Sequence, residues 1–305
     1  MDTKNAIVTG SSGFIGSYLT KKLEELDINV LKVDKKTSSE YDVANFDFPT
    51  LFTNKKIDYI FHFGSPCSVL QYNKDSVYCI GNTLTGFKNI IKIAKKTKAK
   101  LVYPSSGNVY GKQNPPHRED IEPKPTNLYG ITKVQAENMV TLSEIDAVGL
   151  RIFTGYGFGE EKKGNLMSVV CLFLLDMLKG KSPVIWGNGE QERDCVFIDD
   201  IVKSAINAAK FDVPEIINIG SGSKVTYNRI IESINEVLEK NVKPIYAEKP
   251  QNFVDKAVAD IGLMRKYLKV EPIKLEEGLN KFVEYLKNKS SAPLNYETRD
   301  KEELQ

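Results

Sequence analysis

Three glycines in Thr9-Gly10-Ser11-Ser12-Gly13-Phe14-Ile15-Gly16 separate a short apolar run, Ala6 to Val8, from a stretch with Ile15, Leu19, Leu23 and Leu26 at helical spacing. Few folds accept so abrupt a turn from strand to amphipathic helix. The turn needs backbone that tolerates positive φ, and the helix is then a crossover to a parallel strand. The next segments fit that plan. Val30 to Val33 and Ile57 to Phe63 read as strands. A long helix from about Ser76 to Lys96 carries Ile80, Leu84, Phe87, Ile90, Ile91 and Ala94. Leu101 to Tyr103 is a strand, Tyr129 to Leu142 a helix and Ala147 to Ile152 a strand. Near-continuous apolar strands alternating with helices predict an α/β fold with a parallel sheet covered on both faces. Right-handed crossovers make that sheet doubly wound.

After about Phe153 the order loosens. A glycine-rich stretch (Gly155, Gly157, Gly159, Gly164) leads to a helix expected from about Asn165 to Lys179. Further helices are expected near Asp199 to Lys210 and Thr226 to Glu239, and Pro244 and Pro250 punctuate the region after them. The reading is a nucleotide-binding unit over 1–155, to which segments near 193–220 can return. A smaller mixed α/β substrate lobe spans 156–290, and a polar, loosely held tail 291–305.

At 305 residues the chain can bury a sizeable core. Its net charge of +2, with both signs spread along the chain, gives no reason to expect a nucleic-acid partner. The basic run Lys92, Lys95, Lys96, Lys98 and Lys100 reads as a solvated helix face. No apolar run reaches the ~20 residues of a membrane span, and no leader is visible, so a cytoplasmic protein is expected. Cys67, Cys79, Cys171 and Cys195 lack paired spacing and are read as buried free thiols of a reducing compartment. His62 and His117 lack metal-ligand spacing, so no zinc site is expected.

The glycine turn opens a helix whose N-terminal N–H groups and dipole suit a pyrophosphate. Asp34 lies at the end of the second strand, where a carboxylate can accept both ribose hydroxyls of NAD and repel the extra phosphate of NADP. Lys35 and Lys36 beside it could soften that choice. Tyr129 and Lys133 are one helical turn apart and share a face. A neighbouring ammonium and a nicotinamide cation both favour a phenolate, which can take a proton from a hydroxyl while a hydride leaves the adjacent carbon. Ser105-Ser106-Gly107-Asn108-Val109-Tyr110-Gly111 comes after a strand and places small hydroxyls at the edge where parallel sheets bind ligands. A chain with these features is expected to move hydrides. His62 is expected to be a strand residue satisfied within the sheet.

Together these residues resemble the extended short-chain dehydrogenase/reductase superfamily, in its NAD-dependent nucleotide-sugar epimerase/dehydratase branch. The likeness runs from about residue 5 to about 280. It takes in Thr9 to Gly16, Asp34, Ile60-Phe61-His62-Phe63, Asn82 with Gly86, Ser105 to Gly111, Tyr129 with Lys133, Leu150-Arg151-Ile152-Phe153, Gly187 to Asp200 and Asn218-Ile219-Gly220. It implies a Rossmann-type domain holding NAD through Gly10, Gly13, Phe14, Ile15, Gly16, Asp34, Asp42, Val43, Phe63, Gly64, Asn82, Tyr129 and Lys133. It implies Ser106, Tyr129 and Lys133 as catalytic residues. Thr154, Asn165, Arg193 and Lys249 would meet the substrate beside Ser106 and Tyr129. A guanidinium at 193 suits a diphosphate; the bland alternative is an ion pair with Asp194 or Glu192.

Departures from the family pattern narrow the reaction. Related 4,6-dehydratases carry an Asp-Glu pair where this chain has Gly107 and Asn108, and UDP-glucuronate decarboxylases usually carry Glu at the position of Asn108. The resemblance therefore implies a C4 epimerase of the UDP-glucose/UDP-galactose type, working through a 4-keto sugar on retained NAD. Ser65-Pro66-Cys67-Ser68 with Tyr72 is closer to a decarboxylase segment, and Thr154 stands where epimerases commonly have Asn. Lys256 falls where many epimerases tune sugar size, which leaves an unusual or acidic sugar open. A UDP-glucuronate decarboxylase, a 4-keto-sugar reductase and a non-catalytic NAD-binding protein are the alternatives. By family analogy a homodimer through the helices near 76–96 and 129–142 is expected, with a UDP-linked sugar as substrate and no membrane partner.

Overall fold

The computed structural model describes residues 3–45, 47–52, 54–249 and 254–289. The chain begins with β1 (Asn5–Thr9), α1 (Phe14–Glu24), β2 (Asn29–Val33), β3 (Tyr59–His62), α2 (Val69–Lys74), α3 (Ser76–Thr97) and β4 (Lys100–Ser106). It continues with α4 (Leu128–Thr141), β5 (Ala147–Ile152), β6 (Thr154–Tyr156), α5 (Val169–Leu178), β7 (Val184–Trp186), β8 (Glu192–Arg193) and β9 (Cys195–Phe197). It ends with α6 (Ile198–Lys210), β10 (Ile216–Ile219), β11 (Val225–Thr226), α7 (Tyr227–Leu238), β12 (Ile245–Ala247), β13 (Lys256–Ala257) and α8 (Leu275–Lys289).

Six strands form one sheet in the order β10-β5-β4-β3-β1-β2, and every pairing is parallel. The expected doubly wound α/β sheet is present. Its strands alternate between two cores. Ala6 and Val8 of β1 and Val102 of β4 face one; Ile7, Leu101 and Tyr103 face the other. Both faces are thus dry, as parallel strands require. Chain order reverses between β1 and β3, and ligands of open α/β sheets bind at the carboxyl ends of strands beside such a switch point. Gly10 comes directly after β1 and Phe63-Gly64 directly after β3, so the glycine turn lies at that point.

Helix starts near the cleft are fixed by local capping. Asn127 accepts the Gly130 amide at 2.8 Å and so sets the first turn of α4 one residue before Tyr129. Asp75 caps α3 through the Tyr78 amide at 3.0 Å.

Two elements differ from expectation. The strand expected to stop at Tyr103 runs on through Ser106, because Pro104 pairs in register with Leu150 although it lacks an amide proton. The helix expected over 165–179 is two pieces, a 3₁₀ segment Glu160–Leu166 and α5. Gly164 at φ +56° breaks the first, and Ser168 restarts the second by accepting the Cys171 amide. Pro250 and the tail over 291–305 lie outside the described residues.

Beyond β5 lie the small sheets β11-β8-β13, β12-β7 and β6-β9; α7 packs against α5, α8 and β11, and α8 against β9. Among the described residues no helix is long and apolar enough to cross a membrane.

Candidate active site

A cleft of about 610 Å³ opens at the switch point, within the size range of small-molecule sites. Its wall includes Gly10, Gly13, Phe14, Ile15, Gly16, Asp34, Asp42, Val43, Phe63, Gly64 and Asn82 on one side. Ser106, Tyr129, Lys133, Thr154 and Arg193 line it further along. One surface thus gathers most of the residues singled out from sequence. Asn165 and Lys249 are not among its lining residues. Lys249 instead pairs with Asp255 at 2.7 Å.

The glycine turn is tighter than a ligand alone would demand. A Cβ on Gly10, which has φ +69°, would lie 2.6 Å from the Phe63 carbonyl oxygen, and one on Gly16 would lie 2.1 Å from that of Gly10. These glycines let β1, α1 and the end of β3 touch. Gly13 is the N-cap of α1 and supplies no side-chain cap, so the first-turn N–H groups have no side-chain acceptor. With the helix dipole they fit a pyrophosphate. Asp34 accepts the Ser12 and Lys36 amides, each at 2.9 Å, one on each carboxylate oxygen. A carboxylate has about four acceptor positions. Asp34 therefore braces the turn and keeps capacity for ribose hydroxyls. Asp42 accepts from Asn82 at 3.2 Å, joining two further residues of this wall. These features fit NAD.

At the other end, β4 delivers Ser106 and α4 delivers Tyr129 and Lys133. Ser106 Oγ accepts both the amide and the side-chain Nδ2 of Asn108, each at 3.2 Å. Its own proton is directed to the Tyr129 oxygen. Tyr129 stands edge-on to Tyr72, 5.4 Å between ring centres, and the Tyr72 hydroxyl bonds Thr83 at 2.9 Å. Burial pushes the Tyr129 phenol well above its ordinary pKa, and the Ser106 hydroxyl pulls in the opposite direction. Burial also pushes Lys133 down, to about 8, against Cys67 and Glu137, which favour its charge. Lys133 Nζ donates to the Pro104 carbonyl at 3.1 Å and lies 5.7 Å from the Tyr129 ring centre. Burial thus favours the neutral phenol, and the ammonium of Lys133 and a nicotinamide cation are the two charges expected to oppose it.

Behind this edge lies a buried polar network. Glu137, two turns beyond Tyr129 on α4, takes a bidentate pair from Arg151 at 3.0 and 2.9 Å and a bond from Ser105. Burial works against the Arg151 cation, yet the Glu137 carboxylate holds it above the ordinary arginine pKa. His62 is fully buried, bonds Thr9 through Nδ1 at 2.8 Å and is held neutral by burial, its pKa down to about 3. It is a sheet residue, although its Nε2 has no partner among the described residues.

Other placements depart from expectation. Cys67 is exposed and lines the cleft, while Cys79, Cys171 and Cys195 are buried. The reading of four buried thiols fails there because Cys67 sits in the loop after β3, where Gln71 accepts its amide at 2.9 Å. Arg193 stacks 5.2 Å over the Tyr227 ring and bonds the Glu192 and Asp255 carbonyls. Lys163 also lines the cleft and was not singled out. Charged residues in a glycine-rich stretch read as surface, and no local signal marks this one. Glu137 did carry a signal, since Tyr129, Lys133 and Glu137 repeat every four residues.

The comparisons with known proteins agree with this fold. The crystal structure of a UDP-glucose 4-epimerase from Thermotoga maritima, with UDP-glucose, superposes with a TM-score of 0.87 at 28% identity, covering 93% of this chain and 99% of that one. A UDP-glucuronate 4-epimerase of Thermodesulfobacterium geofontis is 30% identical over 312 residues, 92% of this chain and 95% of the relative. A UDP-N-acetyl-alpha-D-glucosaminuronate decarboxylase of Bacillus cytotoxicus is 27% identical over 319 residues, 93% of this chain and 98% of the relative. The family model described as NAD dependent epimerase/dehydratase family matches residues 6–220. The chain belongs to that NAD-dependent family.

Proposed function

We propose that the protein epimerises a UDP-linked sugar at C4 through a transient 4-keto sugar. The observation that carries this reading is the acid–base inventory around Tyr129. Ser106, Tyr129 and Lys133 meet at the cleft, while the two positions after Ser106 are Gly107 and Asn108, neither of which can transfer a proton. Loss of water or of a carboxyl group is better served by further acid–base groups; inversion of one carbinol is not in need of them.

NAD, when bound, supplies the acceptor and donor of the C4 hydride. Tyr129 takes the O4 proton on oxidation and returns it on reduction. Ser106 turns its hydroxyl proton from Tyr129 to the same oxygen and fixes its position. Lys133 steadies the tyrosine oxygen through its charge. Arg193 offers a donor fork to the diphosphate. Binding energy from that remote nucleotide retains the keto sugar in the cleft.

A decarboxylase reading draws support from Ser65, Pro66, Cys67 and Ser68 on the cleft wall and Tyr72 behind Tyr129. Proton NMR of UDP-glucose, UDP-galactose and UDP-glucuronate incubated with the purified protein separates the two. Interconversion of C4 epimers is expected, and release of carbon dioxide would favour the decarboxylase. Tyr129→Phe is expected to fold and keep NAD yet lose about a thousandfold or more in turnover, the upper range for a general acid–base group. Near-wild-type turnover in that variant sinks the mechanism.

A further inference from the structure

The catalytic steps leave one enclosed cation unassigned. Lys163 lines the cleft; its side chain is 23% exposed, and its partner Glu160, 3.5 Å away, is 0% exposed. Glu160 is itself fixed, since its two oxygens accept the amide and the hydroxyl of Ser168. A carboxylate removed from water is costly unless it is paired and fully bonded. Here it anchors one ammonium at the cleft wall. That ammonium has three donors. Among the described residues its neighbours include Glu160 and the Phe14 ring, 5.6 Å away.

Lys163 shares the cleft wall with Cys67, Tyr129 and Lys133. Arg193 sits among different residues, over Tyr227 and against Asp255. The carboxylates on the described cleft wall are Asp34 and Asp42, both just beyond β2 and remote in the chain from this segment. Lys163 is thus an anchored cation on the wall that also carries Ser106 and Tyr129, among different residues from Arg193. A neutral hexose would leave it with hydroxyl contacts only. A carboxylate would supply both charge and acceptor oxygens.

We propose that Lys163 binds a carboxylate carried by the sugar, so that the substrate is a nucleoside-diphosphate uronic acid. This rests on the nucleotide-sugar reading of the cleft and narrows it. Calorimetric titration of the NAD-loaded Tyr129→Phe protein with UDP, UDP-glucose and UDP-glucuronate tests it without turnover. With Lys163 intact, UDP-glucuronate binds about tenfold to a hundredfold more tightly than UDP-glucose, the range of one charge-assisted bond. Lys163→Met brings that ratio to about one and keeps the affinity for UDP, which also reports a folded cleft. Lys163→Arg retains most of the ratio. Should Lys163→Met unfold the loop, Glu160→Gln in the same chain removes the carboxylate it strands, and the same ratio is read. Equal affinities for the two sugars with Lys163 intact overturn the inference. So does a Lys163→Met that weakens UDP as much as UDP-glucuronate, since the lysine then serves the diphosphate. Failure of UDP itself to bind removes the nucleotide-sugar reading first, and this inference with it.

Discussion

Glu137→Gln tests whether the buried network behind the cleft holds the reacting groups in place. Glu137 and Arg151 are 7% and 5% exposed in their side chains, and two charge-assisted bonds join them at 2.9 and 3.0 Å. Removing one partner of such a pair typically costs about 3–5 kcal/mol, because the other charge is left buried. Arg151 would keep the neutral Tyr110 hydroxyl at 2.9 Å and the Glu119 carbonyl at 3.4 Å. Glutamine can retain neutral bonds worth about 1 kcal/mol each. The expected net loss is therefore about 2–4 kcal/mol, read as a lower urea midpoint in circular dichroism. The same change loosens α4, which carries Tyr129 and Lys133, from Ser105 beside Ser106. Misplacement on the order of 1 Å lowers kcat about a hundredfold. Replacing both partners by methionine is expected to recover most of the stability and little of the turnover. A Glu137→Gln protein within about 1 kcal/mol of the parent refutes the energetic argument, and a double variant with full turnover refutes the positional one.

Asp200 and Cys67 give two further expectations. Burial raises the Asp200 carboxyl from 3.8 to about 6, although the Ile273 amide bonds it at 3.0 Å. Because the folded pKa is raised, the contribution to stability is fully present below about 4 and lost as pH rises through about 6. Asp200→Asn is expected to gain about 1–2 kcal/mol at pH ~7.5, part of the shift being offset by the favourable place of an anion at the start of α6. It should gain nothing at pH ~4, and an equal gain in thermal melts at both pH values would contradict this. Maleimide on the native protein is expected to modify Cys67 and spare the three buried thiols, with NAD and UDP together slowing the reaction. Peptide mapping that finds Cys79, Cys171 or Cys195 labelled as fast shows the burial to be wrong.

Much of this architecture is written in short-range patterns. Gly10, Gly13 and Gly16 fall between an apolar strand and an amphipathic helix, and that order leaves little choice but a crossover. Tyr129 and Lys133 declare a common face by spacing alone. What was illegible depends on residues brought together from afar. Glu160 and Lys163 read as solvated charges, because nothing nearby in sequence says that Phe14 and Ser168 will enclose them. Cys67 has the apolar company of a buried thiol and is exposed because its loop turns out at the sheet edge. The end of β4 was hidden by Pro104, whose missing amide ordinarily marks a stop.

The sheet's sixth strand has one more consequence. β10 pairs with β5 along Gly149 to Ile152, but it is made only after the chain has left the sheet and run through β6 to β9, α5 and α6. A ribosome that has released only the first half of the protein therefore presents β5 as a bare edge, its amides and carbonyls open to any passing strand. The same nascent half already contains Ser106, Tyr129 and Lys133. Completion of the sheet waits on four residues, Ile216–Ile219, closing a seam more than sixty positions downstream, and until then the molecule is better equipped to aggregate than to work.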